Sequence, residues 1–155
     1  MFNEKEADFV VNASNTELIL GSGVSMAIKR VCGFELQKEM NAFAPIKQGE
    51  VVVTKCPRVP SYKTILHVAI MNYTKGEKAP TLDTIKIALK NIATYLTSHS
   101  KLLLPLMGTG VGGLDKMDVV RIYKDFFDNF EVDCEVVIFG YSKEDYELIK
   151  KIFRL

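Results

Sequence analysis

The sequence predicts an α/β protein, a single three-layer α/β/α domain over residues 1–155 with a largely parallel sheet. Three observations predict it. Short β-branched runs alternate with stretches whose apolar residues recur at helical spacing, and no linker or internal repeat interrupts the alternation. The runs at 64–71 (TILHVAIM) and 101–107 (KLLLPLM) are apolar on both faces, as strands covered by helices on both sides must be. The polar and glycine-rich turns at 12–15, 21–23, 108–113 and 139–141 all follow strands, so a parallel sheet gathers them on one edge, where such sheets bind ligands.

In order, Phe9, Val10 and Val11 form the first strand and run into an Asn-rich turn, Asn12-Ala13-Ser14-Asn15. Gly21-Ser22-Gly23 opens a helix with Val24, Ala27, Ile28 and Val31 on one stripe. Residues 34–44 continue weakly helical as far as Pro45, and 50–54 (EVVVT) is a short strand. Thr64 to Met71 is the buried strand just named, followed by a polar loop. The next helix turns Ile85, Ala88, Leu89, Ile92, Ala93 and Leu96 inward. In the run at 101–107, Pro105 would cost a ladder hydrogen bond in mid-strand and so marks the strand's end. Asp115 is a suitable N-cap for a helix whose stripe is Val119, Ile122, Tyr123, Phe126, Phe127 and Phe130, read as core. Residues 135–139 (EVVIF) are the last strand. Ser142 and Asp145 then start a helix that points Tyr146, Ile149, Ile152 and Phe153 inward.

Composition narrows the function classes. The net charge of +1 provides no global field for nucleic acid or an anionic membrane, so RNA binding would need a local patch. No apolar stretch approaches the roughly 18 residues of a membrane span, and the start MFNEKEADF has charges where an export signal needs an apolar run, so none is expected. Cys32, Cys56 and Cys134 are odd in number and widely spaced, which reads as unpaired thiols in a reducing, cytoplasmic setting without metal or cofactor.

The glycine loops invite an anion, because backbone N–H groups without a Cβ beside them can approach phosphate oxygens. Gly108-x-Gly110-x-x-Gly113 formally matches the dinucleotide fingerprint, but too few residues follow it for the rest of that domain, and the next strand ends without an acidic residue for a ribose. Neither loop continues into Gly-Lys-Ser/Thr, which excludes a P-loop. Tight turns alone would also account for the glycines. Asn12 and Asn15 are equally suited to Asx turns or to facing the hydroxyls of a sugar. His67, inside an apolar strand, reads as a core histidine with its ring bonded to backbone, and His99 as exposed. Ser25 sits in a loose nucleophile-elbow pattern, Gly23-Val24-Ser25-Met26-Ala27, with no histidine evidently paired to it.

The blocks VVNASN…GSGV…AIKR, LHVAIMNY and LPLMGTGVGGLDK together resemble the macro domain, in order and with matching spacing from Asp8 to Phe153. That resemblance implies a mixed, mostly parallel sheet between helices and a cleft for ADP-ribose, free or attached to a macromolecule. It places Asn12 and Asn15 at the distal ribose. Gly21, Ser22, Gly23 and Val24 become the first diphosphate loop, Gly108, Thr109, Gly110, Val111 and Gly112 the second, and Tyr141, or failing that Phe139, the aromatic that stacks on adenine. Three departures temper the implied chemistry. Family hydrolases carry an Asp where this chain has Ser25, and a serine is no carboxylate base at neutral pH. They also tend to carry an aromatic, or in another subgroup a catalytic Asp, near Gly112. The family's adenine-binding Asp would fall at Met1, so that carboxylate and the N-terminal edge strand are expected to be missing. Loss of one charge-assisted hydrogen bond, about 1.5–3 kcal/mol, would weaken ADP-ribose binding about 10- to 100-fold.

The sequence-level expectation is therefore an ADP-ribose-binding domain. Two alternatives accompany it: an ADP-ribosyl hydrolase or ADP-ribose 1″-phosphatase, with Asn12, Asn15 and Ser25 as weak catalytic candidates, and a degenerate module that binds RNA or a protein. An open sheet edge would also leave room for a homodimer.

Overall fold

In chain order the elements are β1 (Ala7–Asn15), α1 (Gly23–Cys32), α2 (Glu35–Asn41), β2 (Val51–Thr54), β3 (Tyr62–Met71), α3 (Leu82–Ala93), β4 (Lys101–Pro105), α4 (Lys116–Asp128), β5 (Glu135–Phe139) and α5 (Lys143–Phe153). The computed structural model describes residues 6–20, 23–33, 35–56, 62–72, 79–110, 112–140 and 142–153, with backbone alone at 23, 24, 62 and 63. The sheet order is β2-β3-β1-β4-β5. β1 pairs in parallel with both β3 and β4, β4 pairs in parallel with β5, and β2 alone is antiparallel. The three-layer, mixed and mostly parallel arrangement is as expected. Among the described residues β5 forms one edge of the sheet; Met1, where the adenine Asp would fall, lies outside them.

Alternation along the strands divides the core into two. Val11, Leu66, Val68, Ile70, Leu102 and Leu104 face α3, α4 and α5, where Ile85, Leu89, Ile92, Val119, Val120, Tyr123 and Ile149 meet them. Val10, Ile65, Val52 and Leu103 face the other way, onto Ile28 and Cys32 of α1 and Leu36 and Met40 of α2. Full burial of each such side chain contributes about 1.5–3 kcal/mol, which fixes the register of the sheet. Caps set the helix starts: Thr81 and Thr84 form a reciprocal capping box on α3, and Asp115 accepts from the Asp118 N–H on α4, as its position suggested. Phe126, Phe127 and Phe130 pack as a cluster with centroids 5.1–6.0 Å apart.

Four expectations are corrected. Residues 12–15 are the second half of β1, not a turn. β3 runs beside them to Met71, pairing in register from Asn12↔His67 onward, and the Asn12 amide is bonded to the His67 ring, so they extend as strand. Residues 35–41 form a helix of their own, giving five helices among the described residues. Tyr146 points out, 58% exposed with Lys150 Nζ over its ring, because Asp145 takes the inward position instead. Finally, Cys32 and Cys56 are joined in a disulfide, leaving Cys134 as the free cysteine. The fold brings the end of α1 to the segment after β2, a proximity that spacing along the chain does not show. The pairing withdraws the cysteine argument for a reducing compartment. No helix among the described residues is long and apolar enough to cross a membrane.

Candidate functional site

β1 and β4 are hydrogen-bonded neighbours, in register at Phe9↔Leu102 and Val10↔Leu103, so the segments that follow them leave the same edge of the sheet side by side. One leads into α1, the other into α4. Each delivers a helix N-terminus, with its partial positive charge, to that edge, and at α4 the Asp118 N–H is already taken by the Asp115 side chain.

The second segment, 106–115, is shaped by backbone constraints. The buried Tyr123 hydroxyl donates to Pro105 O (2.6 Å) and accepts from the Met107 N–H (2.8 Å), holding the end of β4. Burial raises the pKa of this phenol, so it stays protonated and able to donate. Gly108 has φ +77°, and its carbonyl accepts from the Leu114 N–H (2.9 Å), closing the loop. A Cβ on Gly112 would lie 2.6 Å from that same carbonyl oxygen, so only glycine fits. The Gly110 N–H, the Gly112 N–H and the Thr109 N–H find no acceptor among the described residues, while the Thr109 hydroxyl donates to Leu106 O (2.9 Å). Closely spaced N–H groups next to a helix start can together bind an anion.

The first segment is anchored by side chains. Ser25, in the first turn of α1, donates from Oγ to Asn12 Oδ1 (2.9 Å) and lies 3.3 Å from Ala13 O. The Asn12 Nδ2 group meets His67 Nδ1 at 3.0 Å, and His67 Nε2 meets Thr54 Oγ1 at 2.7 Å. All four residues are buried, Asn12 and His67 completely. Burial lowers the His67 pKa to about 3, so the ring is neutral. It accepts the amide at Nδ1 and donates from Nε2. The histidine is in the core as expected, but its partners are side chains and not backbone. Ser14, two residues beyond Asn12, keeps a buried hydroxyl with no partner among the described residues.

The predicted site residues thus fare differently. Asn15 Oδ1 accepts from the Glu17 N–H (3.1 Å) and the Ile19 N–H (3.2 Å), and its Nδ2 donates to Ile19 O, so its amide forms the turn. Asn12 is part of the buried chain just described. Gly23 and Val24 are the first residues of α1, and Gly108, Thr109, Gly110 and Gly112 lie together in the second loop. Gly21, Ser22, Val111 and Tyr141 lie outside the described residues. Sequence reasoning missed Thr54, the bracing role of the Tyr123 hydroxyl, and a further contact at this edge, Lys116 Nζ to the buried Asp145 carboxylate (2.6 Å). A phenol in an apolar stripe was the one available signal, since a buried hydroxyl needs a partner. Among the described residues no cluster of His, Cys, Asp or Glu could hold a metal.

Fold and loops define a class: a mixed, mostly parallel α/β protein whose two segments after adjacent parallel strands leave one carboxyl edge of the sheet. The macro domain family model matches residues 11–123, and the chain belongs to that family. An uncharacterised protein of Saccharolobus solfataricus is 32% identical to it over 97% of this chain and 86% of its own. Among solved structures, a mutant Oceanobacillus iheyensis macrodomain with ADPR superposes with a TM-score of 0.80 at 22% identity, covering 99% of this chain and 88% of that one. A Trypanosoma brucei macrodomain in complex with ADP-ribose gives 0.75 at 23% identity, covering 96% and 64%.

Proposed function

We propose that the cleft between the two loops binds ADP-ribose, free or carried on a macromolecule. The observation that carries the reading is the pairing of β1 with β4, which sets the start of α1 beside the glycine loop at 108–113. Two sets of N–H donors side by side match the two phosphates of a diphosphate better than a single anion. The family relationship, and the Trypanosoma relative's complex with ADP-ribose, support the choice of nucleotide.

Binding is favoured over hydrolysis. The Ser25 hydroxyl is buried and spends its proton on Asn12, so it neither replaces a carboxylate nor faces a water. Calorimetric titration with ADP-ribose should give saturable heat with one site per chain. Absence of both heat and thermal shift at millimolar ligand would refute the reading. Release of ADP-ribose from modified protein by the wild type, abolished in Gly23→Glu, would reinstate hydrolysis.

A further inference from the structure

The chain Thr54–His67–Asn12–Ser25 crosses the sheet from its β2 edge, through β3 and β1, into α1. Asn12 and His67 are register partners on parallel strands, and His67 is likewise the partner of Val52 on β2, so these side chains share the face covered by α1 and α2. We propose that His67 is a positioning residue for anion binding: through Asn12 and Ser25 it fixes the first turn of α1, whose N–H groups face the diphosphate. The inference rests on the proposed function for its readout.

The anchoring of α1 explains why so remote a residue matters. The far end of the helix is held by the Cys32–Cys56 disulfide and by apolar packing of Ile28 and Cys32. Among the described side chains of the first turn, Ser25 is the one bonded to the sheet. Ser25 can donate to Asn12 Oδ1 only while the amide keeps its orientation, and that orientation is set by the acceptor at His67 Nδ1. An apolar residue at 67 strands the Asn12 Nδ2 group in a buried, low-dielectric site, where an unpaired donor is costly. The amide then rotates towards other acceptors, and Ser25 is left with only its longer 3.3 Å bond to Ala13 O. The neutral ring suits this task, since a protonated imidazole would offer the Asn12 amine a donor where it needs an acceptor.

The test compares wild type, His67→Leu and His67→Gln by calorimetry with ADP-ribose and with ADP, well below each protein's melting temperature. Glutamine can accept from Asn12 and donate to Thr54; leucine can do neither. His67→Leu should weaken both ligands roughly tenfold, because they share the diphosphate, whereas His67→Gln should stay within about threefold of wild type. Unchanged binding by folded His67→Leu, or equal loss in both variants, overturns the inference while leaving the proposed function standing. No binding by wild type overturns the proposed function, and this inference with it. Should His67→Leu fail to fold, Thr54→Val takes its place: a weaker loss of the same kind supports the inference, and unchanged affinity overturns it. Nitrogen-15 spectra of wild type provide a readout independent of ligand. The ring should be protonated at Nε2 and bare at Nδ1, and the opposite tautomer overturns the inference.

Discussion

The two loops that meet at the carboxyl edge reach the same end by different means. The β1–α1 segment is held by side chains: a buried polar chain at the start of the helix and a disulfide at its end. The β4–α4 segment is held by its backbone, through glycines that tolerate positive φ or leave no space for a Cβ, and by one tyrosine hydroxyl. Side-chain anchoring can be disturbed from a distance, by a proton or a reductant that never touches the ligand. Backbone shaping responds to little except substitution within the loop itself. One half of the cleft is therefore open to chemical conditions, and the other is close to indifferent to them.

The largest expected effect tests the side-chain half. Cys32 and Cys56 are 24 residues apart, and a loop of that size closed by a disulfide contributes about 3 kcal/mol through the entropy of the unfolded chain. Cys32→Ser, or a reductant, should lower stability by that amount in urea unfolding, and Cys134→Ser should not.

Acid should produce the next largest effect. The His67 pKa falls from 6.5 in the unfolded chain to about 3 in the folded protein. Between those values the unfolded chain binds a proton that the folded protein rejects. Stability from this group is therefore full above about pH 6.5 and declines as the pH falls towards 3. At pH 5 the loss is about 2 kcal/mol, and His67→Gln should lack that part of the acid dependence. Identical pH profiles for the two proteins would show that the ring does not enter the folded core neutral.

In the backbone half, Tyr123→Phe removes the partner of both Pro105 O and the Met107 N–H and should cost about 1–3 kcal/mol. Unlike the loss at His67, it should show no dependence on pH between about 5 and 7. Gly112→Ala should cost about 1–3 kcal/mol by overpacking against the Gly108 carbonyl and weaken the diphosphate site with it.

These differences explain how far the sequence could be read. The alternation of strands and helices and the shared edge of the loops follow from apolar periodicity, which is local in the chain, so the elements and the largely parallel sheet were legible, while the strand order was not. Asp115 as N-cap and Pro105 as strand end were legible for the same reason. The Cys32–Cys56 pairing and the chain from Thr54 to Ser25 were not. They join residues 13 to 55 positions apart, and no pattern of residue types announces which buried polar groups will meet. Asn12–Asn15 misled in an instructive way. Composition favours a turn there, but pairing with β3 along the whole segment and the bond from Asn12 to His67 override local preference. Tyr146 misled likewise, because a buried carboxylate at Asp145 took its place on the inner face.

The smallest effect is the sharpest check on the backbone half. Gly110 sits between Gly108 and Gly112, is exposed, and has nothing within 4 Å of where a Cβ would stand. Its φ does not lie in the left-handed region, so alanine introduces no strain there. Gly110→Ala should change stability by less than about 0.5 kcal/mol, as surface substitutions away from special geometry do. If its N–H faces the diphosphate, the new methyl group also stands at the mouth of the cleft. ADP-ribose affinity should then fall while the unfolding midpoint stays put. A loss of stability comparable to that of Gly112→Ala would mean that the loop is shaped by its glycines collectively. Unchanged affinity would place the second phosphate contact elsewhere along 108–113.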